Sequence, residues 1–190
     1  MLDLFSGAGG ASAAMRGRPD WTVVRVELDP RFEAEVHADC TTWCWRGPRP
    51  DFVWASPPCT EFTLSSMPFA HPERPRRVAE ALELVWSALR IVVECDPRFW
   101  VLENVRGSVP FLRPFLGDPL CWGWAWKLWG RIPSRLVLPP KQFKGAYKSS
   151  RTAAGRVQHR SPRIRSTIPL ELSAAFRAAV EGADHAAPLR

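Results

Sequence analysis

Several features are missing from this sequence of 190 residues, and each absence excludes a class of protein. No apolar run approaches the roughly 20 residues that a bilayer requires. Acidic Asp3 stands where a signal peptide would carry basic residues, so we expect a cytoplasmic protein. The five cysteines are odd in number and irregularly spaced, which argues against a disulfide framework. His37, Cys40 and Cys44 lie close together, but no second ligand pair follows at zinc-finger spacing, so we expect no metal site.

Acidic residues are also missing from one long stretch of the chain. None stands between Asp118 and Glu171, although the net charge of the whole protein is only +7. Eleven basic residues fill that stretch: Lys127, Arg131, Arg135, Lys141, Lys144, Lys148, Arg151, Arg156, Arg160, Arg163 and Arg165. A merely solubilising surface usually mixes charges of both signs. The stretch therefore favours a polyanionic partner, above all the phosphate backbone of a nucleic acid.

Hydrophobic residues make up 46% of the chain, and their pattern alternates between strands and helices. Strands are predicted at residues 1–5, 21–26, 51–55 and 99–102, and helices at residues 11–15, 76–94 and from Pro169 onward. This alternation predicts an α/β, doubly wound, Rossmann-like fold with a mostly parallel sheet and helices on both faces. Ligands bind at the carboxyl ends of the strands in such sheets.

The pattern weakens after Pro110. Tryptophans at positions 122, 124, 126 and 129 are interrupted by glycine, and we expect them to pack in one edge strand and turn rather than to stack on bases. Residues 139–162 are rich in Lys, Arg, Gly and Ser with little periodicity, which predicts a long loop.

A glycine-rich segment, Asp3-Leu4-Phe5-Ser6-Gly7-Ala8-Gly9-Gly10, follows the first predicted strand. Glycines in this place let the backbone approach a ligand closely. Glu27 lies 20 residues beyond Gly7 at the end of the second strand, where a carboxylate can accept hydrogen bonds from ribose hydroxyls. The spacing by itself fits NAD, FAD or S-adenosylmethionine equally well.

Two further strand ends carry residues suited to catalysis. Ser56-Pro57-Pro58-Cys59 places a thiol on a proline-stiffened loop, and a deprotonated cysteine is a strong nucleophile near neutral pH. Glu103-Asn104-Val105 places a carboxyl group where a half-buried pocket would raise its pKa and let it donate a proton.

Together these segments resemble the C5-cytosine DNA methyltransferase family over roughly residues 1–109, in the order of that family's motifs. The resemblance implies an S-adenosylmethionine-dependent methyltransferase fold, with Phe5 stacked on the adenine of S-adenosylmethionine and Asp39 bonded to its amino group. The implied cofactor-binding residues are Asp3, Phe5, Ser6, Gly7, Gly9, Gly10, Glu27, Leu28, Asp39, Ser56, Pro57 and Ser166.

The resemblance also implies a mechanism. Cys59 would add to C6 of cytosine while Glu103 interacts with N3, and the activated C5 would then take the methyl group. In a duplex the base must first be flipped out of the stack. A further family motif with two arginines is not cleanly present. Arg163 and Arg165 are its candidates for contacting the cytosine or a phosphate, with Ser161 where the family has glutamine, and the alternative is that a strand at 126–130 takes that place and supplies only Lys127. Ser166-Thr167-Ile168-Pro169 resembles the last motif, which predicts that the final helix packs beside the first strand.

We therefore expect residues 1–190 to form a single catalytic domain. Residues 110–165 would be a reduced basic, Trp-containing segment in place of a target-recognition domain. The predicted protein is a prokaryotic or phage DNA (cytosine-5)-methyltransferase, of the kind found in restriction–modification, that acts on double-stranded DNA. A protein partner that supplies specificity is a further expectation. The alternatives are an RNA cytosine-5 methyltransferase and a non-catalytic module that binds nucleic acid or regulates a partner.

Overall fold

The computed structural model describes residues 1–66, 73, 75, 77–122, 126–139, 150–151, 157–158 and 167–183. The strands are β1 (Leu2–Leu4), β2 (Val24–Glu27), β3 (Val36–His37), β4 (Phe52–Ala55), β5 (Phe99–Val105), β6 (Leu120–Trp122), β7 (Trp126–Arg131), β8 (Ser150–Arg151) and β9 (Val157–Gln158). The α-helices are α1 (Thr60–Ser66), α2 (Val78–Cys95), α3 (Val109–Leu116) and α4 (Leu170–Glu181), and a 3-10 helix spans Arg106–Ser108.

Seven strands form one sheet in the order β3-β2-β1-β4-β5-β7-β6. The first five pair in parallel, and β7 runs antiparallel to both of its neighbours. The chain leaves β1 in one direction along the sheet to form β2 and β3, and β4 and β5 lie on the other side of β1. Ligands bind at such a reversal of strand order, so the carboxyl ends of β1 and β4 are the expected place for a site.

Alternate residues of the central strands pack into two cores, one on each face of the sheet. Val53 and Ala55 of β4 face a cluster that includes the buried side of α2. Phe52 and Trp54 face the other cluster, in which Phe176 of α4 stacks on Phe52 with ring centroids 5.7 Å apart. Because both faces are covered by helices, the strands are apolar on both sides, and the predicted doubly wound α/β fold is confirmed.

The predicted helix at residues 11–15 is wrong. The chain there forms a series of turns, in which the Met15 and Arg16 amides both donate to the Ser12 carbonyl. Gly9 and Gly17 bracket the segment with positive φ angles of 71° and 72°. A stretch of five helix-favouring residues between two such glycines is too short to nucleate a helix, so tertiary contacts decide its conformation.

Three short elements were not predicted from the sequence. These are β3, α1 and α3, which span two, seven and eight residues. The final helix begins at Leu170, one residue after Pro169, and buries Leu172, Phe176 and Ala179. The predicted long loop at 139–162 contains β8 and β9, which pair antiparallel.

Two strands of the tryptophan-rich segment are described, β6 and β7, and they pair antiparallel. The predicted single edge strand is wrong, because β7 is an inner strand and only β6 lies at the edge. Trp126 and Trp129 are buried in the cores on opposite faces of the sheet, so the expected packing role is confirmed for these two residues. The side chains of Trp122 and Trp124 lie outside the described part of the chain.

Among the helices that the structure describes, none has the length and apolar character to cross a membrane. Cys40, Cys44, Cys59 and Cys95 are free thiols. No group of three metal-ligating side chains occurs among the residues that the structure describes.

Ser173 joins α4 to the turns after β1. Its hydroxyl donates to the Ala11 carbonyl at 2.6 Å and accepts from the Ala14 amide at 3.0 Å. We expect Ser173→Ala to lower the free energy of unfolding by about 1–3 kcal/mol, because it leaves buried backbone groups without partners. Urea denaturation of the variant measures this loss. Ser134→Ala, at an exposed position, is the matched control, and equal stability of the two variants would contradict the assigned role.

Candidate active site

The glycine turn after β1 lies against the end of β2. The Gly7 amide donates to Glu27 Oε2 at 2.8 Å, and the Asp29 amide donates to Oε1 at 2.9 Å. Phe5 and Gly7 have positive φ angles of 55° and 50°, and a side chain at Gly7 would meet nothing within 4 Å. The two segments that the sequence predicted to share a ligand are therefore adjacent, with open space beside the turn.

Asp39 is exposed at the end of β3. The amide and hydroxyl of Thr41 both donate to Asp39 Oδ1, at 2.9 and 2.8 Å, and these bonds lower the pKa of the Asp39 carboxyl. Arg90 of α2 holds the turn that follows, because its Nη2 donates to the carbonyls of Cys40 at 2.9 Å and Trp43 at 2.7 Å. Arg90 was not singled out from the sequence, since its role depends on contacts 47 and 50 residues away.

The segment before α4 packs directly on the glycine turn. A Cβ atom added to Gly10 would lie 2.6 Å from the Ile168 carbonyl oxygen and 2.8 Å from the Ile168 nitrogen, so only glycine fits there. With the Ser173 hydrogen bonds, this contact confirms that the final helix packs beside the start of the chain. Ser166 lies outside the described residues.

The residues around this turn fit S-adenosylmethionine. The Ser6 hydroxyl is buried beside the turn and has no hydrogen-bond partner among the described residues, so it is ready for a polar ligand atom. Leu28 is 64% exposed directly after Glu27, and Phe5 is half-buried. An adenosine group needs apolar cover for its base and acceptors for its ribose hydroxyls, which Phe5, Leu28 and Glu27 would supply.

Asp3 is buried under the turn rather than exposed to a ligand. It is 1% exposed, and its Oδ2 accepts a hydrogen bond from the Ser12 hydroxyl at 2.6 Å. Burial raises the pKa of the Asp3 carboxyl to about 7, although the Ser12 hydrogen bond and the charges of Arg25 and Arg16 oppose that rise. The Asp3 side chain thus stabilises the glycine turn from its buried side, through the hydrogen bond with Ser12.

The thiol and the carboxyl predicted for catalysis lie at neighbouring strand ends. Pairing of Ala55 with Leu102 places the loop after β4 beside the end of β5. Asn104 Nδ2 donates to the Pro57 carbonyl at 3.1 Å and fastens this loop to β5. Cys59 and Glu103 are close enough that the Glu103 charge helps to raise the pKa of the thiol.

Both groups are held away from their charged forms. Burial is the main cause of the raised pKa of the Cys59 thiol and Glu103 adds to it, whereas a hydrogen bond with Thr63 opposes it. Burial also raises the pKa of Glu103 to about 7, against a hydrogen bond with Ser56. In such a pair the nucleophile can add to an electron-poor ring, while the carboxyl, which is protonated near neutral pH, can donate its proton to that ring.

The predicted arginine motif falls outside the structure's described part, since Arg163 and Arg165 lie within residues 159–166. Lys127 of β7 lies opposite Asn104 in the antiparallel pairing with β5, one position from Glu103. A basic residue therefore does occur next to the strand end that bears Glu103.

The strand order, the glycine turn beside an acidic strand end and the Cys–Glu pair define a Rossmann-like methyltransferase fold. The model of the C-5 cytosine-specific DNA methylases matches residues 1–110, and the chain belongs to that family.

Individual relatives match a similar part of the chain. A protein of frog virus 3 (isolate Goorha) named "Probable DNA (cytosine-5)-methyltransferase" is 31% identical over 115 residues, which cover 55% of this chain and 52% of that protein. The type II methyltransferase M.AquIA of Picosynechococcus is 28% identical over 128 residues, covering 57% and 49%. The match thus spans about half the length of these relatives. The crystal structure of a DNA modification methyltransferase from an Escherichia coli prophage aligns with a TM-score of 0.44 at 20% identity, covering 68% of this chain and 44% of that one.

The buried carboxyl of Asp3 predicts a pH dependence of stability. Its folded-state pKa is raised from 3.8 to about 7, so the stability associated with the protonated form is present at low pH and lost as pH rises through 7. We expect Asp3→Asn to be more stable than the parent above pH 7, by up to about 4 kcal/mol, with little gain at pH 4. Urea denaturation across this range measures the difference, and Asp20→Asn at an exposed position is the control. A constant difference at all pH values would contradict the assignment.

The proximity of Cys59 and Glu103 predicts coupled ionisation. We expect Glu103→Gln to lower the pKa of the Cys59 thiol, because the thiolate then forms without a neighbouring negative charge. The rate of alkylation of Cys59, followed by peptide mass spectrometry across neutral and alkaline pH, measures that pKa. Glu83→Gln, on the exposed face of α2, is the matched control. An unchanged midpoint in Glu103→Gln would mean that the two groups do not interact.

Proposed function

We propose that this protein is a DNA (cytosine-5)-methyltransferase that uses S-adenosylmethionine and forms a covalent adduct through Cys59. The observation that carries the proposal is the placement of Cys59 and Glu103 at adjoining strand ends of the ligand-binding edge, where Asn104 fastens the thiol-bearing loop to β5. Carbon 5 of cytosine is a poor nucleophile, so methylation requires prior addition of a nucleophile to C6 and protonation or hydrogen bonding at N3. One thiol and one protonated carboxyl are the minimum set for that addition.

Addition begins once the Cys59 thiol has lost its proton to solvent. The thiolate forms a bond to C6, Glu103 transfers its proton to N3, and the electron pair of the C5–C6 double bond becomes available at C5. S-Adenosylmethionine would supply the methyl group, whose bond to the sulfonium sulfur breaks as C5 takes it up, so that S-adenosylhomocysteine leaves. Loss of the C5 proton to solvent and departure of the Cys59 thiolate restore the double bond, and N3 returns its proton to Glu103.

The buried setting of Cys59 and Glu103 assists the proposed steps, because it favours the protonated form of Glu103. An ionised Glu103 disfavours the thiolate, whereas a protonated Glu103 removes that repulsion and is also the form that can donate to N3. The Asn104 bond to the Pro57 carbonyl holds the loop that bears the thiol against β5. Such fixed placement of two reacting groups contributes to rate because little orientation remains to be lost.

The proposed substrate is double-stranded DNA, from which the target cytosine is flipped. The basic stretch between Asp118 and Glu171 would bind the phosphate backbone, with Arg163 and Arg165 near the cytosine or its phosphate. In this proposal residues 1–190 act as one catalytic domain, residues 110–165 replace a larger recognition domain, and a protein partner contributes to the choice of target.

Covalent trapping tests the proposal. The protein is incubated with S-adenosylmethionine and mixed-sequence duplex DNA in which 5-fluorocytosine replaces cytosine. Fluorine at C5 cannot leave as the proton does, so the adduct with Cys59 persists and migrates as a protein–DNA complex in denaturing gels. We expect an adduct with the wild-type protein and none with Cys59→Ser.

Cys44→Ser, at another half-buried thiol, is the matched control and should trap DNA like the parent. Adduct on single-stranded RNA but not on DNA would favour an RNA cytosine-5 methyltransferase. Binding of both nucleic acids without any adduct would favour the non-catalytic module and would end the catalytic proposal, as would equal trapping by Cys59→Ser.

A further inference from the structure

Trp54 makes a polar contact with Ser56, the first residue of the loop that bears Cys59. Its indole nitrogen donates to the Ser56 hydroxyl oxygen at 2.8 Å, and the tryptophan itself is fully buried. An indole N–H can only donate, whereas a hydroxyl has one hydrogen to donate and two acceptor positions. Because Trp54 occupies an acceptor position on Ser56, the hydroxyl hydrogen of Ser56 remains available for another group.

Glu103 lies beside this hydroxyl. A hydrogen bond with Ser56 lowers the pKa of the Glu103 carboxyl, against the effect of burial. The pairing of Ala55 with Leu102 places the next residues of both strands, Ser56 and Glu103, side by side. Ser56 follows β4 directly and continues its alternation, so it lies on the same face of the sheet as Trp54, and the three side chains lead from the core to the site.

We propose that Trp54 and Ser56 are positioning residues that fix which oxygen of Glu103 presents its proton to the cytosine ring; this inference rests on the proposed function. The oxygen that accepts from Ser56 is the poorer site for the acid proton, so the proton resides on the other oxygen. When that proton passes to N3, the carboxylate that remains is stabilised by the Ser56 hydroxyl, because hydrogen bonds to a charged acceptor are the stronger ones.

Aromatic packing fixes the donor end of this chain. The Trp54 ring makes edge-to-face contact with Phe176 of α4 at 5.1 Å between centroids and with Phe52 at 6.3 Å. A ring held between two others in a dense core has little freedom to turn its N–H away from Ser56. The orientation of a hydroxyl in the proposed site thus depends on a helix from the other end of the chain.

Two variants and a rescue test the inference. Ser56→Ala removes the donor, Trp54→Phe removes the indole N–H while it keeps an aromatic ring, and Ser56→Thr keeps the hydroxyl. The first readout is the pH dependence of the rate of adduct formation on 5-fluorocytosine DNA. We expect Ser56→Ala to be about 10-fold slower, with the alkaline limb of its profile moved to higher pH. Trp54→Phe should move the limb in the same direction by less, and Ser56→Thr should restore the parent profile.

The second readout does not require turnover. NMR titration of protein labelled with ¹³C at glutamate carboxyl groups follows the Glu103 signal, which is assigned by its absence in Glu103→Gln. The expected pKa of Glu103 is above the parent value in Ser56→Ala, and to a lesser degree in Trp54→Phe. Trp21→Phe, at another tryptophan that packs against the same core but bonds to Glu181 of α4, is the control for loss of ring volume and of an indole N–H, and should leave the Glu103 titration unchanged.

Failure of the catalytic proposal and failure of the positioning role give different results. If wild type forms no adduct on DNA or RNA, the catalytic proposal fails, and the titration alone decides the positioning role. If Ser56→Ala and Trp54→Phe lower thermal stability but leave both the pH profile and the Glu103 pKa as in the parent, Trp54 and Ser56 serve packing alone and the inference is overturned.

Discussion

The pairing of β4 with β5 is the contact on which the site depends. Its register sets Ala55 beside Leu102, and everything of chemical interest follows within four residues on either strand. The Asn104 amide then bonds the Pro57 carbonyl, so the loop that bears Cys59 is fastened to the strand that bears Glu103. A shift of this register by one residue would turn Ser56 and Glu103 to opposite faces and expose the apolar residues that precede them, so the buried cores on both sides protect the geometry of the site.

Burial at this strand end has opposing effects on the two groups. It raises the pKa of the Cys59 thiol, which reduces the amount of nucleophile, and it raises the pKa of Glu103 to about 7, which preserves a proton donor at neutral pH. The hydrogen bonds from Thr63 to Cys59 and from Ser56 to Glu103 both oppose the effect of burial. In the proposed mechanism, bond formation to C6 would remove the buried negative charge of the Cys59 thiolate, and the hydrogen bond with Ser56 would stabilise the carboxylate that proton transfer leaves on Glu103.

The cofactor side of the site is built from distant parts of the chain. The glycine turn follows β1, its partner Glu27 ends β2, and the segment at Ile168 closes against Gly10. Arg90 holds the turn after Asp39 from a helix on one face of the sheet, while Ser173 holds the turns after Gly10 from a helix on the other face. Helices on both faces thus contribute directly to the proposed binding edge as well as to the two cores.

The sequence by itself determined the α/β class, the parallel central strands and the grouping of the glycine turn, Pro57-Pro58-Cys59 and Glu103 at one edge, because apolar runs and strand ends are local patterns. It failed at residues 11–15, where short-range preference was weaker than the hydrogen bonds of Ser12 and Ser173. It could not reveal β3, α1 or α3, which are too short to show a period, nor the role of Arg90. Only the tertiary structure decided that Asp3 is buried, that Trp54 reaches Ser56, and that Cys59 and Glu103 share one electrostatic environment, since each depends on residues far apart in the chain that folding brings into contact.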